Sequence, residues 1–162
     1  MASIGVLALQ GGYEAHARCL EALGLHPRLV KSADELDGCV GLVLPGGEST
    51  TQLKLIHRFG LWAPLEQFAE RGYPIMATCA GLILAARQVV GHTQDALGWL
   101  DIDVKRNAWG RQVHSFEATL TDPDAPAGLR SPPFHLLFIR APKIVRCGPE
   151  VEVIARLNGE PI

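Results

Sequence analysis

At 162 residues, 48% hydrophobic and 20% charged, the chain has the size and balance of one globular domain that closes its core without staples. The formal net charge is −2, with no basic run or basic helix face, which argues against nucleic acid and anionic membrane partners. No apolar stretch approaches the roughly 18 residues of a membrane span, and Met1-Ala2-Ser3 opens without a basic or apolar leader, so a cytoplasmic location is expected.

Residues 4–9 are a short apolar run halted by Gln10-Gly11-Gly12, the pattern of a buried strand and a turn. A helix is expected over 13–23, closed by Gly24, and a second strand over 25–30. Ser32-Ala33-Asp34-Glu35 has capping-box spacing and opens a short helix that Gly38 ends. A third strand, 39–44, stops at Pro45-Gly46-Gly47. Helices are expected over 49–59, 61–71 and 82–89, with a fourth strand over 73–77. Strand and helix alternate with apolar strands throughout, which predicts an α/β domain with a mostly parallel sheet covered on both faces.

The second half reads differently. Strands are expected over 101–105, 112–120, 134–139 and 151–157, a β-rich extension of the sheet, and the Pro/Asp-rich stretch 121–133 reads as a mobile insertion. Asn158-Gly159 is a strong hairpin signal, yet only Glu160-Pro161-Ile162 follow it, so the arm over 151–157 is expected to be an unpaired edge and the chain to be truncated.

Four cysteines, at 19, 39, 79 and 147, show no C-x-x-C pairing and no metal spacing with histidine. Cys79 alone has a telling context. Ala77-Thr78-Cys79-Ala80-Gly81 lies between an apolar strand and a helix, the layout that holds a nucleophile on a sharp turn. There the helix start directs free N–H groups at the sulfur, and the Ala80 N–H can meet a developing oxyanion. The same residues also fit a buried core thiol at a crowded crossover.

Residues 45–49, PGGES, follow the third strand and so share the sheet edge at which open parallel sheets bind ligands. Gly46 and Gly47 let peptide N–H groups approach a ligand, a second half for an oxyanion hole; the alternative is a turn with a helix cap at Ser49. Arg106, in RNAWGRQ, and Arg140, after an apolar strand, could each clamp a carboxylate or be solvated loop residues. None of the six histidines has a spacing that marks a metal site or a base, and His114 and His135 lie on strands with no acidic partner at an obvious spacing.

Together, GVLALQG (5–11), PGGESTT (45–51), TCAGLIL (78–84), RNAWGRQ (106–112), SFE (115–117) and FIRAP (138–142) resemble the glutaminase subunit of pyridoxal 5′-phosphate synthase, in order from about Ile4 to Leu157. PGGES with TCAG would indicate only some class I glutamine amidotransferase; the last three segments are specific to this subunit. The resemblance implies a three-layer, flavodoxin-like domain that hydrolyses L-glutamine to glutamate and ammonia without metal or cofactor, passing the ammonia to a separate synthase subunit. It implies that Cys79 is the nucleophile and that the N–H groups of Gly47 and Ala80 form the oxyanion hole. Gly47, Glu48, Ser49, Arg106, Ile139 and Arg140 are then expected to contact glutamine, and Gln10 to respond to the partner. Ala77 stands where most members have glycine, an added methyl that is expected to be tolerated. The family's triad histidine and glutamate belong to a His-Pro-Glu segment beyond Leu157, and nothing here matches it. A non-catalytic binding subunit of the synthase therefore stands as the alternative.

Overall fold

The computed structural model describes residues 2–108 and 115–162. It divides into two compact units between Ala85 and Ala86. The first holds strands β1 (Ser3–Leu7), β2 (Pro27–Val30), β3 (Cys39–Leu44) and β4 (Ile75–Ala77), all parallel, in the order β2-β1-β3-β4. Its helices are α1 (Tyr13–Ala22), α2 (Ser49–Arg58), α3 (Trp62–Glu70) and α4 (Ala80–Ala85), with a 3₁₀ turn at Ala33–Leu36. Ser32 and Glu35 close that turn with the expected capping box.

The core of this unit is the continuous apolar content of the strands, including Val6, Leu7, Leu42 and Leu44, met by Ile56, Leu65, Phe68 and Leu84 from the helices. The chain leaves β1 in one direction, to β2, and leaves β3 in the other, to β4. Right-handed crossovers then put α1 on one face and α2 with α3 on the other. The reversal falls between β1 and β3, and open sheets of this kind carry their ligands at the carboxyl ends of such a strand pair.

The second unit is β-rich. Strands β5 (Ala86–Val89), β6 (Leu100–Lys105) and β9 (Lys143–Cys147) form a mixed three-stranded sheet. Strands β7 (Phe116–Thr119) and β8 (His135–Phe138) form an antiparallel pair in which Phe116 and Phe138 stack at 4.6 Å between ring centroids.

Five expectations change here. The helix expected over 82–89 ends at Ala85, and residues 86–89 are a strand instead. There β5 pairs in parallel with β6, and Arg87 makes a bidentate ion pair with Asp103 at 2.6 and 2.7 Å. Strand β9 was not expected at all. The stretch 121–133 is packed rather than loose: it contains the short helix α5 (Ala127–Arg130), and Ala125 is buried with Leu120 and Ala155, with Leu129 against them. The last hairpin also closes. Arg156–Leu157 (β10) and Glu160–Pro161 (β11) pair through Asn158 and Gly159, both at positive φ, and residues 151–155 stay outside the ladder. The second unit's strands form three separate ladders rather than one extension of the parallel sheet. Of the strand expected over 112–120, residues 112–114 lie outside the described residues.

Candidate active site

Three segments of the first unit meet at the carboxyl ends of β1, β3 and β4. The elbow after β4 is built against β3. Thr78 N donates to Leu44 O at 3.0 Å, Gly81 N donates to Thr78 O at 2.8 Å, and a side chain at Gly81 would overlap the Leu44 backbone. Cys79 sits at the apex with φ 48°, a left-handed conformation that a cysteine adopts only when its surroundings enforce it. Its side chain is half-buried, whereas Cys39 is buried and Cys19 is exposed on α1.

The loop after β3 passes directly over this apex. A Cβ at Gly46 would stand 3.4 Å from Cys79 Cβ, an ordinary van der Waals contact, so the loop backbone runs close beside the cysteine. The turn after β1 locks the loop from the other side. Gly12 N donates to Gly46 O at 2.9 Å, and Glu48 N donates to the Gln10 side-chain oxygen at 2.9 Å. Gly11 has φ +99°, and any side chain there would collide with the Gly46 carbonyl.

Glu48 proves to be the cap of α2, a role that the sequence alone suggested for Ser49. Its carboxylate accepts from Thr51 N at 2.7 Å and Thr50 N at 3.3 Å, and from the two threonine hydroxyls at 2.6 and 2.8 Å. Partial burial raises its pKa, but the threonine hydroxyls and amides outweigh this and hold it down at about 2. Ser49 is buried at the first helical position.

Two residues that sequence reasoning left aside belong to this cluster. His16 Nε2 lies 3.1 Å from Thr78 Oγ1, joining α1 to the residue before Cys79, and burial lowers the His16 pKa. Gln52 is 1% exposed. Its Nε2 donates to Gln10 O at 2.9 Å and to Pro45 O at 3.1 Å, while its Oε1 has no hydrogen-bond partner among the described residues. An orphaned buried acceptor of this kind costs about 1–3 kcal/mol. A signal for Gln52 was available, since Ser49, Gln52 and Ile56 form the buried stripe of α2 and a glutamine on such a stripe needs a reason.

The remaining expected site residues lie in the second unit. Arg106 follows β6 and its Nη1 donates to Gln94 Oε1 at 3.0 Å, with His92 Nε2 at 3.3 Å. Ile139 is exposed, and Arg140, also exposed, has φ 47°. Residues 109–114, which include most of the RNAWGRQ segment and His114, lie outside the described residues. His135, read as lacking an acidic neighbour, has Glu117 Oε2 at 3.2 Å from its Nε2. Both side chains are largely exposed, so the pair is a solvated surface contact. Among the described residues no cluster of His, Cys, Asp and Glu could hold a metal ion, and no helix is long and apolar enough to cross a membrane.

A left-handed cysteine between strand and helix, facing a glycine loop at a sheet reversal, is the arrangement of a glutamine amidotransferase. The sequence profile of the SNO glutamine amidotransferase family matches residues 6–162, and the chain belongs to that family. It is 52% identical over 155 residues to the pyridoxal 5′-phosphate synthase subunit PdxT of Geobacillus thermodenitrificans, covering 96% of this chain and 77% of that one. A crystal structure described as a glutamine amidotransferase superposes with a TM-score of 0.88 at 41% identity, covering 99% of this chain and 83% of the other. The structure of PurLQS from Thermotoga maritima, at 21% identity and a TM-score of 0.63, shares the fold.

Proposed function

We propose that this chain hydrolyses L-glutamine to L-glutamate and ammonia through a thioester on Cys79, and hands the ammonia to a pyridoxal 5′-phosphate synthase subunit in a cytoplasmic hetero-oligomeric complex. The observation that carries the reading is the apex geometry: Cys79 at φ 48° with the Gly46 backbone laid against it. In the proposed reaction the Cys79 sulfur attacks the side-chain carbonyl carbon of glutamine. The Gly47 and Ala80 N–H groups receive the oxyanion, the thiol proton passes to the nitrogen as the C–N bond breaks and ammonia leaves, and water then cleaves the thioester to glutamate and the restored thiol.

Glutamine recognition falls to the Gly47, Glu48 and Ser49 segment and, by the resemblance, to Arg106, Ile139 and Arg140. Since the Glu48 carboxylate is spent on its own helix, its contribution is to hold the loop while backbone atoms meet the substrate. His16 hydrogen-bonds Thr78 rather than Cys79, so its imidazole supports the residue before the cysteine and is not placed to take the thiol proton.

A glutamine-mimicking electrophile tests the assignment. Peptide mapping after limited labelling should find Cys79 modified well ahead of Cys19, Cys39 and Cys147, and Cys79→Ala should lower kcat for ammonia release by about a million-fold. Equal labelling at another cysteine, or ammonia release that survives Cys79→Ala, overturns it.

A further inference from the structure

We propose that Gln52 is a positioning residue for the oxyanion segment: its buried amide pins the Gln10 and Pro45 carbonyls and thereby fixes the Gly46–Gly47 peptide beside Cys79, a role that rests on the glutaminase reading. Gln52 lies on the core-facing stripe of α2, where an apolar residue would ordinarily sit. Both hydrogens of its Nε2 are used on main-chain carbonyls of two different loops, one after β1 and one after β3. The orientation of the amide is determined, since turning it over would set Oε1 against both carbonyl oxygens. In the orientation that remains, Oε1 has no hydrogen-bond partner among the described residues.

For fold stability the amide is a trade: an unbranched apolar side chain of similar length would remove the orphaned Oε1 but would take the Nε2 donor away from the Gln10 and Pro45 carbonyls. What the amide supplies is position. Pro45 and Gln10 bracket the oxyanion segment from both sides, Gly46 O is held by Gly12 N, and Glu48 N is held by the Gln10 side chain. With Gln52 tying Gln10 O to Pro45 O, the two loops cannot slide past each other without breaking several hydrogen bonds together. A hole that stabilises charge must be fixed before the charge develops, and such fixing comes from the residues behind the donors.

The test is Gln52→Met in the full chain with its synthase subunit, read by ammonia release, thermal melting and amide hydrogen exchange. The expected result is a kcat lower by about a hundredfold, a KM for glutamine changed by less than about threefold, and a Tm lowered by no more than a few degrees. The Gly12 and Glu48 amides should exchange about tenfold faster while those of β3 do not change. A kcat within about twofold of the parent overturns the proposal, whatever the Tm. Faster exchange throughout β3 also overturns it, because Gln52 would then be only a core residue. A parent that releases no ammonia with the synthase subunit present overturns the glutaminase reading instead. Exchange at Gly12 and Glu48 still decides the positioning role in that case, and no change there overturns it.

Discussion

Among the described residues, four that are not glycine adopt positive φ: Cys79, Asn107, Arg140 and Asn158. Asn158 belongs to a hairpin turn and asparagine tolerates the conformation. The other three either are, or directly follow, residues expected to touch glutamine. Strain of about 1–3 kcal/mol per residue persists only where packing enforces it, and it gathers where a site needs an atom aimed. Around Cys79 the enforcement includes the His16–Thr78 hydrogen bond, which gives the site a pH-dependent support. Burial lowers the His16 pKa from 6.5, so as pH falls through 6.5 the unfolded chain takes up the proton before the folded one. The contribution to stability is therefore full above that value and declines below it. The Tm should fall from neutral to mildly acid pH, and His16→Asn should flatten that part of the profile. An unchanged slope in the variant would remove His16 from the account.

At the scale of elements, α2 is the helix on which the loop depends, because its cap is also the loop's last residue. Glu48→Ala should cost about 0.5–2 kcal/mol, the usual value of a helix cap. With a folded pKa of about 2 against an ordinary value of 4.5, the carboxylate stabilises the fold above 4.5, and that share is lost as pH falls from there toward 2. Urea unfolding of wild type and Glu48→Gln across that range should converge at the acid end; curves that stay parallel would mean that the four threonine donors do not hold the charge.

Elements also show where sequence reading succeeds. Strand β3 falls on its expected bounds, 39–44, because an apolar run stopped by Pro45-Gly46-Gly47 has one reading. The run 82–89 has two: Leu-Ile-Leu-Ala-Ala fits a helix, while Arg87 with Val89 fits a strand whose partner, Asp103 on β6, is distant in sequence. Cys79 and the glycine loop were legible as motifs because a sharp strand-to-helix turn and a close backbone approach constrain neighbouring residues. Gln52 was legible only as a polar residue on a buried stripe, and His16 not at all, since their partners lie 42 and 62 positions away.

At the scale of the whole molecule, the reversal of winding direction between the parallel strands β1 and β3 joins the proposed catalytic loop to the first helix. Gln10 and Gly12 stand at one end of α1, and both hold the loop after β3. None of the residues of α1 is fully buried, so that helix presents side chains that a partner could reach. A partner that shifts the β1–α1 turn by a fraction of an ångström would move the Gly46 carbonyl with it, and the N–H of Gly47, in the same peptide unit, would turn as that carbonyl turns. Such an N–H is worth about a hundredfold or more in rate when it points at the oxyanion and nothing when it points away. Adding the synthase subunit to the full chain should therefore raise kcat for glutamine hydrolysis to a plateau at equimolar partner, with KM changed much less. Gly11→Ala should lower the plateau, because its methyl group collides with the Gly46 carbonyl and displaces the segment through which the partner acts. A rate that does not respond to the partner would break the link between the first helix and the oxyanion hole. A plateau unchanged in Gly11→Ala would mean that the partner acts on the site by another route.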